Sequence, residues 1–134
     1  MLEDALKEMI PSQVKLFPKL TAGRDPYHFY RWDYDQETGS PMLRYWFWSR
    51  DRGRKYRKRV FIGEAERLLE RSLGTGEITR QDFKRFCPRT NSDGGCGFAV
   101  MVAMFEFLGL VRHTDERGAY EIVNRRVANQ ILAE

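Results

Sequence analysis

Two cysteines and two histidines among 134 residues leave little material for a disulfide framework or a zinc site. Cys87 and Cys96 are read as reduced, partly buried thiols, and together with His28 and His113 they lack the paired spacing of metal ligands. No metal and no cofactor is expected. No apolar run approaches the roughly 18 to 20 residues of a membrane-spanning helix, and the first ten residues, MLEDALKEMI, are acidic where a secretion leader is basic and then apolar. The expectation is a cytoplasmic protein with no membrane partner. Internal repeats and low-complexity tracts are also absent.

What is present is ordinary in amount and uneven in distribution. Hydrophobic residues make up 42% and charged residues 31%, and the 18 aromatic residues exceed what a disordered chain carries, so the chain is expected to fold. The net charge is +4. Residues 44–59 alone hold eight Lys or Arg against Asp51, a local +7, which leaves the rest of the chain at −3. Solvated faces usually mix signs, so a one-signed block asks for an anionic partner.

The chain reads as one unit, with an N-terminal helix and aromatic β-meander in 1–62 and a helical part in 63–134. LEDALKEMI, residues 2–10, has acids first and apolar residues at helical spacing, with Pro11 as its stop. Residues 12–26, interrupted by Pro18, Gly23 and Pro26, are read as a connector. YHFYRWDY, MLRYWFWS and KYRKRVFI then predict three antiparallel strands. GEAERLLERSLGTG predicts a helix, and ITRQDFKRFCP a second one with Thr79 and Asp82 as a variant capping box. PRTNSDGG is read as a turn, FAVMVAMFEFL as a buried helix, VRH and AYEIV as a hairpin, and NRRVANQILAE as a last helix capped by Asn124.

From Ile62 to Val123 this order, with LGTGEITRQDF as the link into the second helix and FLGLVRHTDERGAYEIV as a terminal hairpin, resembles the winged-helix fold. The resemblance covers under half the chain. It implies a third helix in the major groove and a hairpin wing, but residues 98–108 offer a groove only Glu106 as a charge. A helix apolar around its whole circumference is buried or hidden in a dimer, so a winged-helix-type protein-interaction module, or a homodimer through 98–108, is the second expectation. The wing is no better equipped, because Arg112 and Arg117 are outweighed by Asp115, Glu116 and Glu121.

The positive charge lies instead in SRDRGRKYRKR. Alternation along a strand puts Lys55, Arg57 and Arg59 on one face and Arg54, Tyr56 and Lys58 on the other. Unpaired cations on both faces cannot enter a core, so the tip must meet water or a polyanion. Guarding an edge strand needs one or two lysines, not seven cations in ten residues. Nine aromatic residues lie between Tyr27 and Trp48 on both parities; one parity is a candidate stacking platform for bases, although the usual burial of Tyr and Trp favours a covered face. Lys84, Arg85 and Arg89 are candidates for a second phosphate-facing surface.

CGFAVMVAMFEFLG is similar to the nucleophile helix of papain-like and bacteriocin-processing cysteine peptidases, which would make Cys96 a nucleophile at a helix start. Residues 88–95 hold no glutamine for an oxyanion hole, however, and His113 is the only later histidine. Together these readings predict an α+β protein, a three-stranded meander packed with a winged-helix-like C-terminal half. Its expected function is non-enzymatic binding of nucleic acid, DNA before RNA, through Arg50, Arg52, Arg54, Lys55, Arg57, Lys58 and Arg59, with Lys84, Arg85 and Arg89 in support.

Overall fold

A computed structural model describes residues 1–20, 25–116 and 118–134, and its architecture is α+β. Helix α1 (Leu2–Met9) carries Glu3 and Asp4 in its first turn and buries Leu2 and Leu6 completely. Strands β1 (Leu16–Phe17), β2 (Tyr27–Tyr34), β3 (Pro41–Ser49) and β4 (Arg54–Phe61) form an antiparallel sheet in sequential order. The expected three-stranded meander is therefore four-stranded. The extra strand lies in the supposed connector, where Leu16 pairs with His28 and Phe17 with Tyr27. Two residues are too short to show an alternation, and only pairing with β2 makes them a strand.

Register sorts the side chains. On the inner face lie Phe17, Tyr27, Leu43, Tyr45 and Val60, all buried, with Trp32 opposite Leu43. At its edge the Trp32 indole donates to the carbonyl of Ile10, the residue after α1, at 2.9 Å. A register shift between Phe29 and Arg31 leaves Tyr30 as an extra residue, so that Trp32 points inward although it shares the parity of Tyr30.

The C-terminal part runs α2 (Ile62–Ser72), β5 (Glu77–Thr79), α3 (Arg80–Phe86), α4 (Pro88–Asp93), α5 (Gly97–Phe107), β6 (Val111–His113), β7 (Ala119–Ile122) and α6 (Arg125–Ala133). The second sheet has the order β5-β7-β6, antiparallel throughout. The caps expected at Thr79 with Asp82, and at Asn124, are both formed. PRTNSDGG is not a turn, since its first six residues are α4 with Pro88 at the start. Its free N–H groups are satisfied by Glu64 of α2, which accepts from Arg89 N at 3.0 Å and Thr90 N at 2.7 Å.

Helix α5 packs against β1, β4 and β6, and every residue from 97 to 105 is buried within this one chain. Its apolar circumference is thereby accounted for, and the expected homodimer through 98–108 draws no support from it, because the apolar surface is already covered. Each large side chain there contributes about 1.5 to 3 kcal/mol through burial. Gly97 is required by a close approach: a Cβ at that position would lie 2.6 Å from Thr90 Cγ2. No helix among the described residues is long and apolar enough to cross a membrane.

Candidate nucleic-acid interface

The basic ribbon is the β3–β4 hairpin and its turn. Gly53 takes φ +62°, a left-handed conformation that suits a residue without Cβ, and residues 50–55 are exposed. Pairing of Trp48 with Lys55, Trp46 with Arg57 and Arg44 with Arg59 puts Lys55, Arg57 and Arg59 on the outer face; Arg54 and Lys58 follow Tyr56 on the other.

Among the described residues, three of the ten candidate cations have an internal carboxylate. Arg50 meets Asp25 at 3.1 Å with both groups well exposed, an arrangement worth little and easily exchanged for another anion. Arg59 is held more firmly, since Asp93 accepts from its guanidinium at 3.3 Å and from its backbone N–H at 2.7 Å. Arg89 meets Asp35 at 3.1 Å and lies over the Phe61 ring at 4.1 Å. By contrast, Arg52, Arg54, Lys55, Arg57 and Lys58 form no ion pair among the described residues. Lys84 and Arg85 are exposed on α3, and α4 packs against both that helix and β4.

Aromatic rings hold several of the free cations. Arg54 lies over Tyr56 at 4.6 Å, Lys55 over Trp46 at 4.2 Å and Arg57 over Tyr30 at 5.0 Å. Burial pushes the Tyr56 phenol up, but Arg54 and Arg52 more than offset this and leave it below its ordinary value. The ribbon's field is therefore felt by this chain's own groups.

Residue size favours a covered outer sheet face; it is covered at Met42 and Phe61, which are buried, and open toward the hairpin at Trp48 and Tyr30. Leu16, His28, Trp46 and Arg57 form one cross-strand row, with His28 stacked on Trp46 at 4.0 Å. Trp48 is 49%, Leu16 48% and Tyr30 38% exposed, and these are three of the six exposed large hydrophobic side chains among the described residues. A second row sets Arg31, Arg44 and Arg59 directly opposite one another. Like charges so placed repel, and Asp33, which meets Arg31 at 3.2 Å and Arg44 at 3.3 Å, relieves that repulsion together with Asp93. Three guanidiniums against two carboxylates leave the row at +1. Parity alone could not find this surface, because the bulge at Tyr30 interrupts it.

Among the described residues Cys96 and His113 are not brought together. Cys96 is the half-buried N-cap of α5, and among the described residues its thiol has one hydrogen-bond partner, Tyr45 Oη at 3.0 Å. Burial, with Cys96 beside it, drives the Tyr45 phenol far above its ordinary value. His113 instead sets its ring against Tyr120, with 5.0 Å between centroids. A cleft of 740 Å³ borders Cys96, lined also by Tyr27, Arg80 and Glu116. No three His, Cys, Asp or Glu residues among those described could hold a metal ion. Of the candidate wing, Arg112 is paired with Glu121, and Arg117 lies outside the described residues. No protein-family model matches this chain, and comparison with curated proteins and with solved structures finds none similar to it.

Proposed function

We propose that this protein is a non-enzymatic nucleic-acid-binding protein that grips phosphates with its β3–β4 ribbon. The observation that carries the reading is the set of five cations, Arg52, Arg54, Lys55, Arg57 and Lys58, with no carboxylate of their own among the described residues. Desolvating such groups without a counter-charge is costly, whereas a polyanion supplies the counter-charge and releases condensed counterions on binding. Arg50 reinforces the ribbon by exchanging its exposed partner, Asp25, for a phosphate. Lys84, Arg85 and Arg89 are proposed as secondary contacts.

The C-terminal half is read as winged-helix-like. Support comes from the element order α2, β5, α3, α4, α5, β6, β7 and from β7 lying between β5 and β6. The short α4 adds a helix to that order, and α5, the helix that precedes the hairpin, serves as core, so binding is assigned to the ribbon instead.

The test is titration of a labelled oligonucleotide at several salt concentrations. Five phosphate contacts predict a slope of log K against log salt of about −3.5 for a single strand and about −4.5 for a duplex. Replacing Arg52, Arg54, Lys55, Arg57 and Lys58 together with Ala should flatten the slope toward zero. No binding at low salt, or a slope untouched by the replacement, would overturn the reading.

A further inference from the structure

We infer that the outer face of the four-stranded sheet is a stacking platform for single-stranded nucleic acid, with unpaired bases on Trp48 and Tyr30 and phosphates on Lys55 and Arg57. This rests on the function proposed above and names its ligand class. Protection of an edge strand explains cations on β4, which is the sheet's outer strand. It does not explain a half-exposed Trp48 on β3, Tyr30 on β2 and Leu16 on β1, all on one open face. Left bare, such a face invites aggregation.

The chemistry of the face is complementary to one kind of molecule. Every base has a π-face, and stacking on an aromatic ring needs that face free, which a duplex denies. Neighbouring strands are about 4.8 Å apart and alternate residues in a strand about 6.7 Å apart, both wider than the 3.4 Å step of stacked bases. The rings therefore suit nucleotides spread along an extended strand. Four strands also span about 14 Å between the outer two before side chains are added, more than the roughly 12 Å major groove that admits a two-stranded ribbon. Lys55 is the cross-strand partner of Trp48, and Arg57 lies within 5.0 Å of the Tyr30 ring centre, so each stacking ring has a cation near it for the phosphate. Trp48, 49% exposed, makes no stacking or cation contact among the described residues.

The experiment uses the full chain and labelled oligonucleotides of about 12 nucleotides, within the span a single binding fold covers. Single-stranded DNA, single-stranded RNA and a hairpin duplex of the same composition are titrated at low and moderate salt, with tryptophan emission followed in parallel. The expected result is tighter binding of one or both single strands than of the duplex, with quenching of tryptophan emission. Trp48→Ala and Tyr30→Ala should each weaken single-strand binding roughly 5- to 150-fold and change duplex binding less than about twofold. Trp48→Phe, which keeps a ring, should restore most of the loss, and circular dichroism checks that each variant is folded. Equal affinity for duplex and single strand, with no effect of Trp48→Ala, overturns the platform and leaves the ribbon's phosphate grip standing. No binding of any oligonucleotide at low salt removes both.

Discussion

Glu64 on α2 and Thr90 on α4 are joined by two hydrogen bonds: Oε1 of Glu64 accepts the Thr90 N–H and the Thr90 hydroxyl, each at 2.7 Å. The same hydroxyl accepts the Phe61 N–H at 3.1 Å, so one buried threonine ties the start of α4 to the junction of β4 and α2. Phe61 in turn is the residue over which Arg59 and Arg89 lie. The arrangement anchors the end of the strand that carries the basic block.

Thr90→Val keeps the shape and removes the hydroxyl. It leaves the buried Phe61 N–H without an acceptor and takes one donor from Glu64, so it should lower stability by about 1 to 3 kcal/mol. Urea denaturation followed by circular dichroism measures this. Thr90→Ser, which retains the hydroxyl, should recover part of the loss. An unchanged midpoint for the valine variant would show that the anchor is redundant.

Acid should weaken the protein through Asp35. A hydrogen bond from the Thr38 hydroxyl, and then the Arg89 guanidinium, hold its carboxyl below the ordinary value of 3.8. Because the folded pKa is the lower one, the folded state binds this proton less tightly than the unfolded chain. The contribution is whole above the unfolded pKa and is lost as pH falls through the folded pKa. Asp33, held down by the Tyr34 N–H and then by Arg31 and Arg44, acts in the same direction. The urea midpoint should fall as pH drops below about 4, and Asp35→Asn should make that fall shallower. A variant whose acid profile matches the parent would remove Asp35 from the account.

The two thiols should separate in reactivity. Cys87 is fully buried; burial, with the charge of Glu64 adding to it, pushes its thiol up to about 12, and it donates to the Glu64 carbonyl at 3.4 Å. Cys96 is only half-buried and borders the cleft. Iodoacetamide at a pH of about 8 should add one group to the native protein, at Cys96, and a second only on unfolding. Native modification of Cys87, read by peptide mass, would contradict its burial.

The parts legible in the sequence are those set by neighbours along the chain. Thr79 and Asp82 are three residues apart and Asn124 directly precedes its helix, so both caps could be read from short-range pattern. The strands β2, β3 and β4 were legible from alternation and aromatic content, and the cation cluster from counting. Strand β1 and helix α4 were not, because each depends on a partner far along the chain: β1 on β2, and α4 on Glu64, 26 residues before Thr90. The candidate site divides in the same way. Its charge was visible, but the partners Asp25, Asp93 and Asp35 of Arg50, Arg59 and Arg89 lie 25, 34 and 54 residues away.

By itself, then, the sequence determined that residues 44–59 are densely positive, that 98–108 is apolar on every side, and that aromatic residues occupy both parities of the meander. Which aromatic face stays open was decided only in three dimensions. The bulge at Tyr30 turns Trp32 inward, α5 packs on β1 and β4 from that side, and Trp46 and Trp48 are left on the other. Local pattern sets what a strand offers on each face, but burial depends on what packs against it, and that is a property of the assembled chain.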